Sequence, residues 1–330
     1  MEQLLAGLRA AGEPTRLRLL ALLARGELTV TELTQILRQS QPRVSRHLKL
    51  LCEAGLLERF REGSWVFYRL AASGQVGELA DVLSGLIPQE DIVIARDLER
   101  LEAVRAARAE KAAAYFRANS GEWNRIRSLY VPEDKVEQAM VELGARDGLG
   151  FVADLGTGTG RMLELFGPMA KTGLGIDLSP EMLALARAQL DRPELHHCSV
   201  RQGDLYDLPL QDQNADLVTL HMVLHYLDDP AASIAEAARV LKPGGRLLIA
   251  DFAPHELDYL RESHAHRRLG FTQSEVTGWL ADAGLTVGET RTMPPEGGED
   301  AKLTVQIWVA DKAGGKPNRP VRSVEYEGVK

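Results

Sequence analysis

The sequence predicts an α/β protein in two parts, a small α+β head followed by a Rossmann-like α/β body. Three observations predict it. The first seventy residues are basic and helix-rich and end in two alternating, strand-like runs. A glycine-punctuated turn follows an apolar run near residue 155, and acids recur at the ends of the apolar runs after it. At 330 residues with 45% hydrophobic side chains, the chain can fill two cores of ordinary size. Residues 1–74 hold 11 Lys/Arg against 7 Asp/Glu, a net of +4; the remainder holds 28 against 40, a net of −12. A basic head on an acidic body suits nucleic-acid binding by one end only.

Cys52 and Cys198 are the only cysteines, which excludes a disulfide framework and a cysteine-rich metal centre. The N-terminus lacks the basic and apolar regions of a signal peptide, and no apolar run approaches the roughly 18 residues of a membrane span. The expectation is a cytoplasmic protein with no membrane partner.

In the head, residues 3–11 and 14–25 show helical spacing, with Leu17, Leu20 and Leu23 on one side and Pro14 in a first turn. Thr29 and Glu32 form a capping box opening a short helix that ends near Arg38. Ser40 is placed to cap the next helix, with Pro42 in its first turn and Gly55 at its end. Two short helices joined by a tight turn make a helix-turn-helix. In the second helix Val44, Leu48 and Leu51 face the core, leaving Gln41, Arg43, Ser45, Arg46 and Lys49 outward, where a DNA major groove would meet them. Residues 56–61 and 65–70 alternate as two strands about Glu62, Gly63 and Ser64, a wing on which Arg59, Arg61 and Arg69 are placed for a minor groove or phosphates.

Residues 13–70 resemble the ArsR family of winged-helix repressors, whose recognition-helix pattern is matched at Ser40, Gln41, Val44, Ser45, His47 and Leu48. The resemblance implies a homodimer on double-stranded operator DNA, with His47 as a DNA-contact or interface residue. Metal-sensing members carry thiols where this chain has Thr29 and Thr31, and hydroxyls do not replace thiolates for soft metals. No metal is expected. Residues 75–87 form an apolar stretch before Pro88. Residues 91–117 then read as one long helix with a seam at Ile94, Leu98, Leu101 and Val104, either a spacer or a dimerising, signal-carrying strut.

The body opens with a strand running into Asp154, Gly156, Thr157, Gly158 and Gly160, where glycines let backbone approach a ligand. Arg161 stands where a dinucleotide fingerprint needs glycine, which tilts the ligand toward S-adenosylmethionine. Asp177 ends a second strand, placed for ribose hydroxyls. Asp204 and Leu205 follow a third, placed for the adenine amino group and ring. Residues 216–221 and 241–251 give a fourth and fifth strand. Ligands of open α/β sheets bind at such C-terminal strand ends.

Residues 110–311 resemble class I S-adenosylmethionine-dependent methyltransferases, which implies a seven-stranded sheet with one antiparallel strand, from runs at 285–293 and 302–311. It also implies that Gly156 to Gly160 hold the methionine moiety, within a cofactor set of Asp154, Gly156, Thr157, Gly158, Gly160, Asp177, Leu178, Asp204, Leu205 and His221. Tyr115, Phe116, Trp123, Arg127 and Tyr130 resemble lid helices, and the stretch from His266 matches a helix of small-molecule members. The domains expected are thus 1–87, a connector at 88–109, 110–311, and a flexible tail at 312–330.

His221 and His225 follow the fourth strand and are the candidate catalytic bases. The signature of amino-group DNA methyltransferases is absent from the loop His221–Tyr226, and with Cys198 as the body's one cysteine arsenite methylation is not expected. Two readings stay open. One is a transcriptional regulator that senses S-adenosylmethionine or S-adenosylhomocysteine. The other is a working methyltransferase with an autoregulatory DNA-binding head.

Overall fold

The computed structural model describes residues 1–62, 65–71, 74–107, 110, 132–146, 148–260, 266–295 and 303–314. Gly63 and Ser64 of the wing turn, the five aromatic and arginine residues expected in a lid, the end of the long helix and the tail from residue 315 lie outside them. The chain divides into two units, Met1–Ala112 and Ala113–Lys330. No helix among the described residues is long and apolar enough to cross a membrane.

The first unit contains α1 (Glu2–Ala11), α2 (Pro14–Leu23), β1 (Leu28–Thr29), α3 (Val30–Leu37), α4 (Gln41–Glu53), β2 (Leu57–Glu62), β3 (Trp65–Leu70), α5 (Gly74–Leu86) and α6 (92–107). The expected capping box forms. Thr29 Oγ1 accepts from the Glu32 amide at 3.3 Å, and Glu32 Oε2 accepts from the Thr29 amide at 2.8 Å. Arg38, left-handed at φ 52°, ends α3 and begins the three-residue turn into α4. Ser40 sits at the N-cap of α4 in extended conformation, but its hydroxyl makes no capping bond. Gly55 (φ 75°) closes α4, with the Leu56 amide donating back to Leu51 O, which satisfies an otherwise orphaned carbonyl.

The wing strands pair as read, Phe60 opposite Phe67 with stacked rings 5.5 Å apart. Two-residue β1 pairs with β3 as a third strand, too short for any periodicity to announce.

Helix α6 is no bare spacer. Leu101 and Val104 of its predicted seam join Leu20, Ile36, Leu48 and Leu51 in the head's core. Asp97, 1% exposed, takes both Arg18 Nε (2.6 Å) and Nη2 (2.8 Å), and Arg100 at 3.2 Å. The same arginines reach the last carbonyls of α3, Arg100 to Ile36 O at 3.0 Å and Arg18 to Leu37 O at 3.4 Å. Cations at a helix C-terminus satisfy orphan carbonyls and oppose the negative end of its dipole.

The second unit is a doubly wound sheet. Its elements are α7 (Glu133–Gly144), β4 (Leu149–Leu155), α8 (Arg161–Phe166), β5 (Ala170–Asp177), α9 (Pro180–Leu190), β6 (Cys198–Gln202), β7 (Ala215–His221), α10 (Pro230–Val240), β8 (Leu241–Phe252), α11 (Gln273–Asp282), β9 (Leu285–Met293) and β10 (Val305–Lys312). Seven strands run in the order β6-β5-β4-β7-β8-β10-β9. β10 pairs antiparallel with both neighbours, and the pairs from β6 to β8 are parallel. Successive residues pack on opposite faces: Val218 and Leu247 with α10 and α11, Leu217 and Leu248 with α7. Burial on both sides explains why these strands read as unbroken apolar runs.

The stretch at His266 is not where the expected helix begins. α11 starts at Gln273, capped by Thr272, whose own capping box uses Glu275. Residues 266–271 instead lie against the end of β8, with Phe271 N donating to Phe252 O at 2.9 Å. Gly270 (φ 81°) makes this crossing possible, because a Cβ there would stand 2.1 Å from Ala253 O.

Candidate functional site

Two surfaces carry the predicted chemistry, one in each unit. On α4, Gln41, Arg43, Arg46 and Lys49 are exposed and Ser45 is half-buried; Arg61 is exposed on β2. Lys49 pairs loosely with Glu53 at 3.7 Å. His47, expected at DNA or at an interface, is less exposed than most of that set. Its ring is half-buried, with Nδ1 3.6 Å from Glu13 Oε2, and burial lowers its pKa while Glu13 opposes the shift. Arg69 is also committed inside the protein, bound to Glu58 across the hairpin at 2.6 Å.

In the second unit a cleft of about 1350 Å³ opens at the C-terminal edge of the sheet, where the strand order reverses between β4 and β7. Gly156, Thr157, Gly158, Asp177, Leu178, Asp204, Leu205, His221 and His225 all line it. The loop after β4 is tied to β5, Gly156 N and Thr157 N both donating to Ile176 O (2.7 and 2.9 Å). Gly156 (φ 71°) is glycine for packing, since a Cβ would lie 2.3 Å from Val223. Gly158 (φ 53°) has nothing within 4 Å of its Cβ position, which leaves its backbone accessible to a ligand. Gly160 (φ 85°) caps α8.

Asp177 Oδ2 accepts from Gly158 N at 2.8 Å and Oδ1 from Ser179 N at 2.9 Å. A carboxylate has about four acceptor sites, so each oxygen keeps capacity for a further donor. Asp204 is exposed two residues beyond β6, with Oδ1 accepting from Tyr206 N. Leu178 is 69% exposed at the rim; Leu205 is buried yet lines the cleft.

Asp154 does not line the cleft. It is fully enclosed, its oxygens accepting from Thr157 Oγ1 and Thr219 Oγ1, both at 2.6 Å. Burial pushes its carboxyl up to about 6, against the two hydroxyls that favour the ionised form. An acid whose pKa is higher folded than unfolded binds more protons in the folded state between about pH 4 and pH 6. Its contribution is therefore favourable at low pH and lost as pH rises through 6. We expect Asp154→Asn to gain roughly 3 kcal/mol relative to wild type between pH 4 and pH 7. Urea midpoints across that range check it; a pH-independent difference would contradict the assignment.

The two histidines differ. Burial lowers the His221 pKa to about 4, although the carboxylates of Glu137 and Asp251 oppose the shift, and its buried Nε2 has no hydrogen-bond partner among the described residues. Met222 follows it in a left-handed conformation (φ 53°). His225 instead places Nδ1 2.8 Å from Asp251 Oδ1, both side chains nearly inaccessible. Sequence reasoning missed Asp251 as a partner, although it ends a strand as the other acids do. It missed Glu137 as well, which takes the Arg161 guanidinium bidentately at 2.7 Å and holds α7 to the start of α8. Among the described residues, no three His, Cys, Asp or Glu gather as a metal site.

Two family models match this chain. One, described as "Bacterial regulatory protein, arsR family", covers residues 13–59; the other, described as "Methyltransferase domain", covers residues 153–249. The arsenic resistance transcriptional regulator ArsR1 of Pseudomonas putida is 52% identical over 63 residues, which are 19% of this chain and 49% of that protein. An uncharacterized methyltransferase of Schizosaccharomyces pombe is 34% identical over 153 residues, 40% of this chain and 55% of that protein. The chain thus spans about half the length of these curated relatives. The YcgJ protein of Bacillus subtilis, a solved structure, aligns with TM-score 0.48 and 19% identity over 55% of this chain and 100% of that one.

Proposed function

We propose that this chain, which joins an ArsR-family helix-turn-helix to a methyltransferase domain, is a DNA-binding transcriptional regulator whose second domain takes S-adenosylmethionine or S-adenosylhomocysteine as effector. One observation carries the ligand reading: the Gly158 backbone, Asp177 and Asp204 face a single cleft at the sheet's switch point. These residues fit an adenosyl amino acid. Asp177 would accept from the ribose hydroxyls and Asp204 from the adenine amino group, with Leu178 and Leu205 against the ring. The loop from Gly156 to Gly160, with Thr157, would take the amino-acid end. Asp154 acts at one remove by fixing Thr157. His221, neutral at pH 7, would add no positive charge beside a sulfonium.

The exposed face of α4 supports the DNA half, since Gln41 and Ser45 reach base edges in such helices while Arg43, Arg46 and Lys49 neutralise phosphate. A two-fold operator would need a homodimer, working in the cytoplasm where the DNA is. Arg43→Ala and Arg46→Ala should each weaken operator binding and lower the slope of log affinity against log salt by about 0.9. Fluorescence anisotropy at several salt concentrations measures both; an unchanged slope would place that arginine off the DNA.

A specific observation favours a second reading, methyl transfer to a small acceptor. At about 1350 Å³ the cleft exceeds the roughly 300–1000 Å³ of a single small-molecule site, and His225, held from behind by Asp251, is among the residues that line it. The cofactor would supply an electrophilic methyl group; the chain would orient the acceptor and take its proton. Titrating the purified protein on its own upstream DNA with each ligand, beside a methyl-release assay, tests both. Full switching between DNA states needs a differential affinity of about 5.5 kcal/mol. Ligand-dependent DNA affinity without turnover selects the sensor, and multiple turnover selects the enzyme. Neither result, with no ligand uptake, overturns the proposal.

A further inference from the structure

We infer that the half of the cleft beyond the glycine loop is an acceptor subsite for planar, hydroxyl-bearing aromatic molecules of the phenol class. His225 is the proton acceptor there and Asp251 its positioning residue. The inference rests on the methyl-transfer reading above and gives it a substrate class.

The pair is built as a base, not merely as a buried contact. Asp251 is wholly enclosed at the end of β8, and three bonds fix its carboxylate. Oδ1 accepts from the Phe252 amide at 2.8 Å and meets His225 Nδ1 at 2.8 Å, while Oδ2 accepts from the His225 amide at 3.3 Å. A carboxylate held this way keeps the imidazole proton on Nδ1 and leaves the lone pair on Nε2. No hydrogen bond engages Nε2 among the described residues, and His225 lines the cleft. Burial holds the His221 pKa near 4, which makes that ring a poor base at pH 7.

The surroundings select the acceptor. The rings of Tyr226 and His266 each lie 4.2 Å from His225, and Phe252 lies 5.2 Å away; all three line the cleft. Tyr226 is 42% exposed and lines the cleft. Arg267, also on this wall, is paired with Asp228. A wall of rings rewards a flat π-system over an extended alkyl chain. A carboxylate acceptor carries no proton at pH 7 and would need no base. A phenol, with pKa about 10, is within reach of an imidazole, whereas an aliphatic alcohol is not.

The step balances without a further reagent. As the phenolic oxygen bonds to the methyl carbon, the carbon–sulfur bond breaks and its electron pair stays on sulfur. The phenolic proton passes to His225 Nε2, giving an imidazolium that Asp251 stabilises before the proton leaves to water. The products are an aryl methyl ether, a thioether and one proton.

The test uses the full chain. Calorimetry first measures S-adenosylhomocysteine uptake, and the saturated protein is then titrated with phenol, catechol and cyclohexanol. Phenols should bind and cyclohexanol should not, and Tyr226→Ala should weaken phenol binding about tenfold. With S-adenosylmethionine, His225→Gln should slow phenols that are protonated at the assay pH by 10²- to 10⁴-fold, and nitrophenols that are already ionised far less. Asp251→Asn should move the pH profile of turnover while S-adenosylhomocysteine affinity holds. The charged and titratable groups facing His225 are Asp251, Tyr226, His266 and, more remotely, His221. Uptake of S-adenosylhomocysteine with no phenol binding, or equal slowing of ionised and protonated phenols, overturns the inference and leaves the cofactor reading standing. Absence of uptake removes both.

Discussion

Asp177→Ala should abolish the response to adenosyl ligands while DNA affinity in their absence stays within twofold of wild type. The variant removes the proposed acceptor for the ribose hydroxyls, and hydrogen bonds to a charged group contribute about 1.5–3 kcal/mol each. It also frees the amides of Gly158 and Ser179, which now bind its two oxygens, so the glycine loop loses an anchor. Together these predict a loss of two to three orders of magnitude in affinity, about 3–4 kcal/mol. Calorimetry with S-adenosylhomocysteine and anisotropy on operator DNA read the two effects separately. Parallel loss of both would show that Asp177 supports folding of the whole chain rather than one ligand.

The second large effect is at a residue outside the predicted cofactor set. Gly270→Ala should lower the stability of the second unit by about 3–5 kcal/mol. Two costs combine. A left-handed backbone penalises any Cβ by about 1–2 kcal/mol, and this one would stand 2.1 Å from Ala253 O and 2.5 Å from its carbonyl carbon. Neither obstacle is the end of a flexible side chain, so the 266–271 segment must lift from β8. The Phe271–Phe252 bond and the position of His266 would go with it. A urea transition with lowered midpoint, and phenol binding lost before S-adenosylhomocysteine binding, is the expected pair of results. An unfolding free energy within about 0.5 kcal/mol of wild type would rule out a rigid crossing.

Local signals made much of this fold legible. The helix-turn-helix could be read because its stops and starts are short-range: the Thr29–Glu32 box, the Gly55 terminus and the Val44–Leu48–Leu51 stripe all act within a few residues. The strand-end acids could be read for the same reason. What escaped depends on which residues meet across space. Asp154 turns inward because Thr219, 65 residues later, stands beside it in β7. His225 meets Asp251 only because β7 pairs with β8 in the register His221 opposite Ala250. The partial burial of His47 could have been read from spacing. Three residues after Val44, at about 100° per residue, it lies about 60° from the buried stripe and belongs to its edge. The Gly270 crossing left one trace, a glycine inside a stretch taken for helix.

The bond from Arg18 to Asp97, spanning 79 residues, decides how the protein can be dissected. A fragment cut at Pro88 would retain the whole recognition motif but lose Leu101 and Val104 from its interior and the counter-charge of a mostly buried guanidinium. The smallest piece expected to keep the head's fold must therefore run to about residue 107, the end of the described helix. That same helix grips the Ile36 carbonyl through Arg100 and, through Asp97, holds the Arg18 that reaches Leu37 O, just ahead of the bend into α4, so tension applied to the chain beyond it would be felt first at that bend.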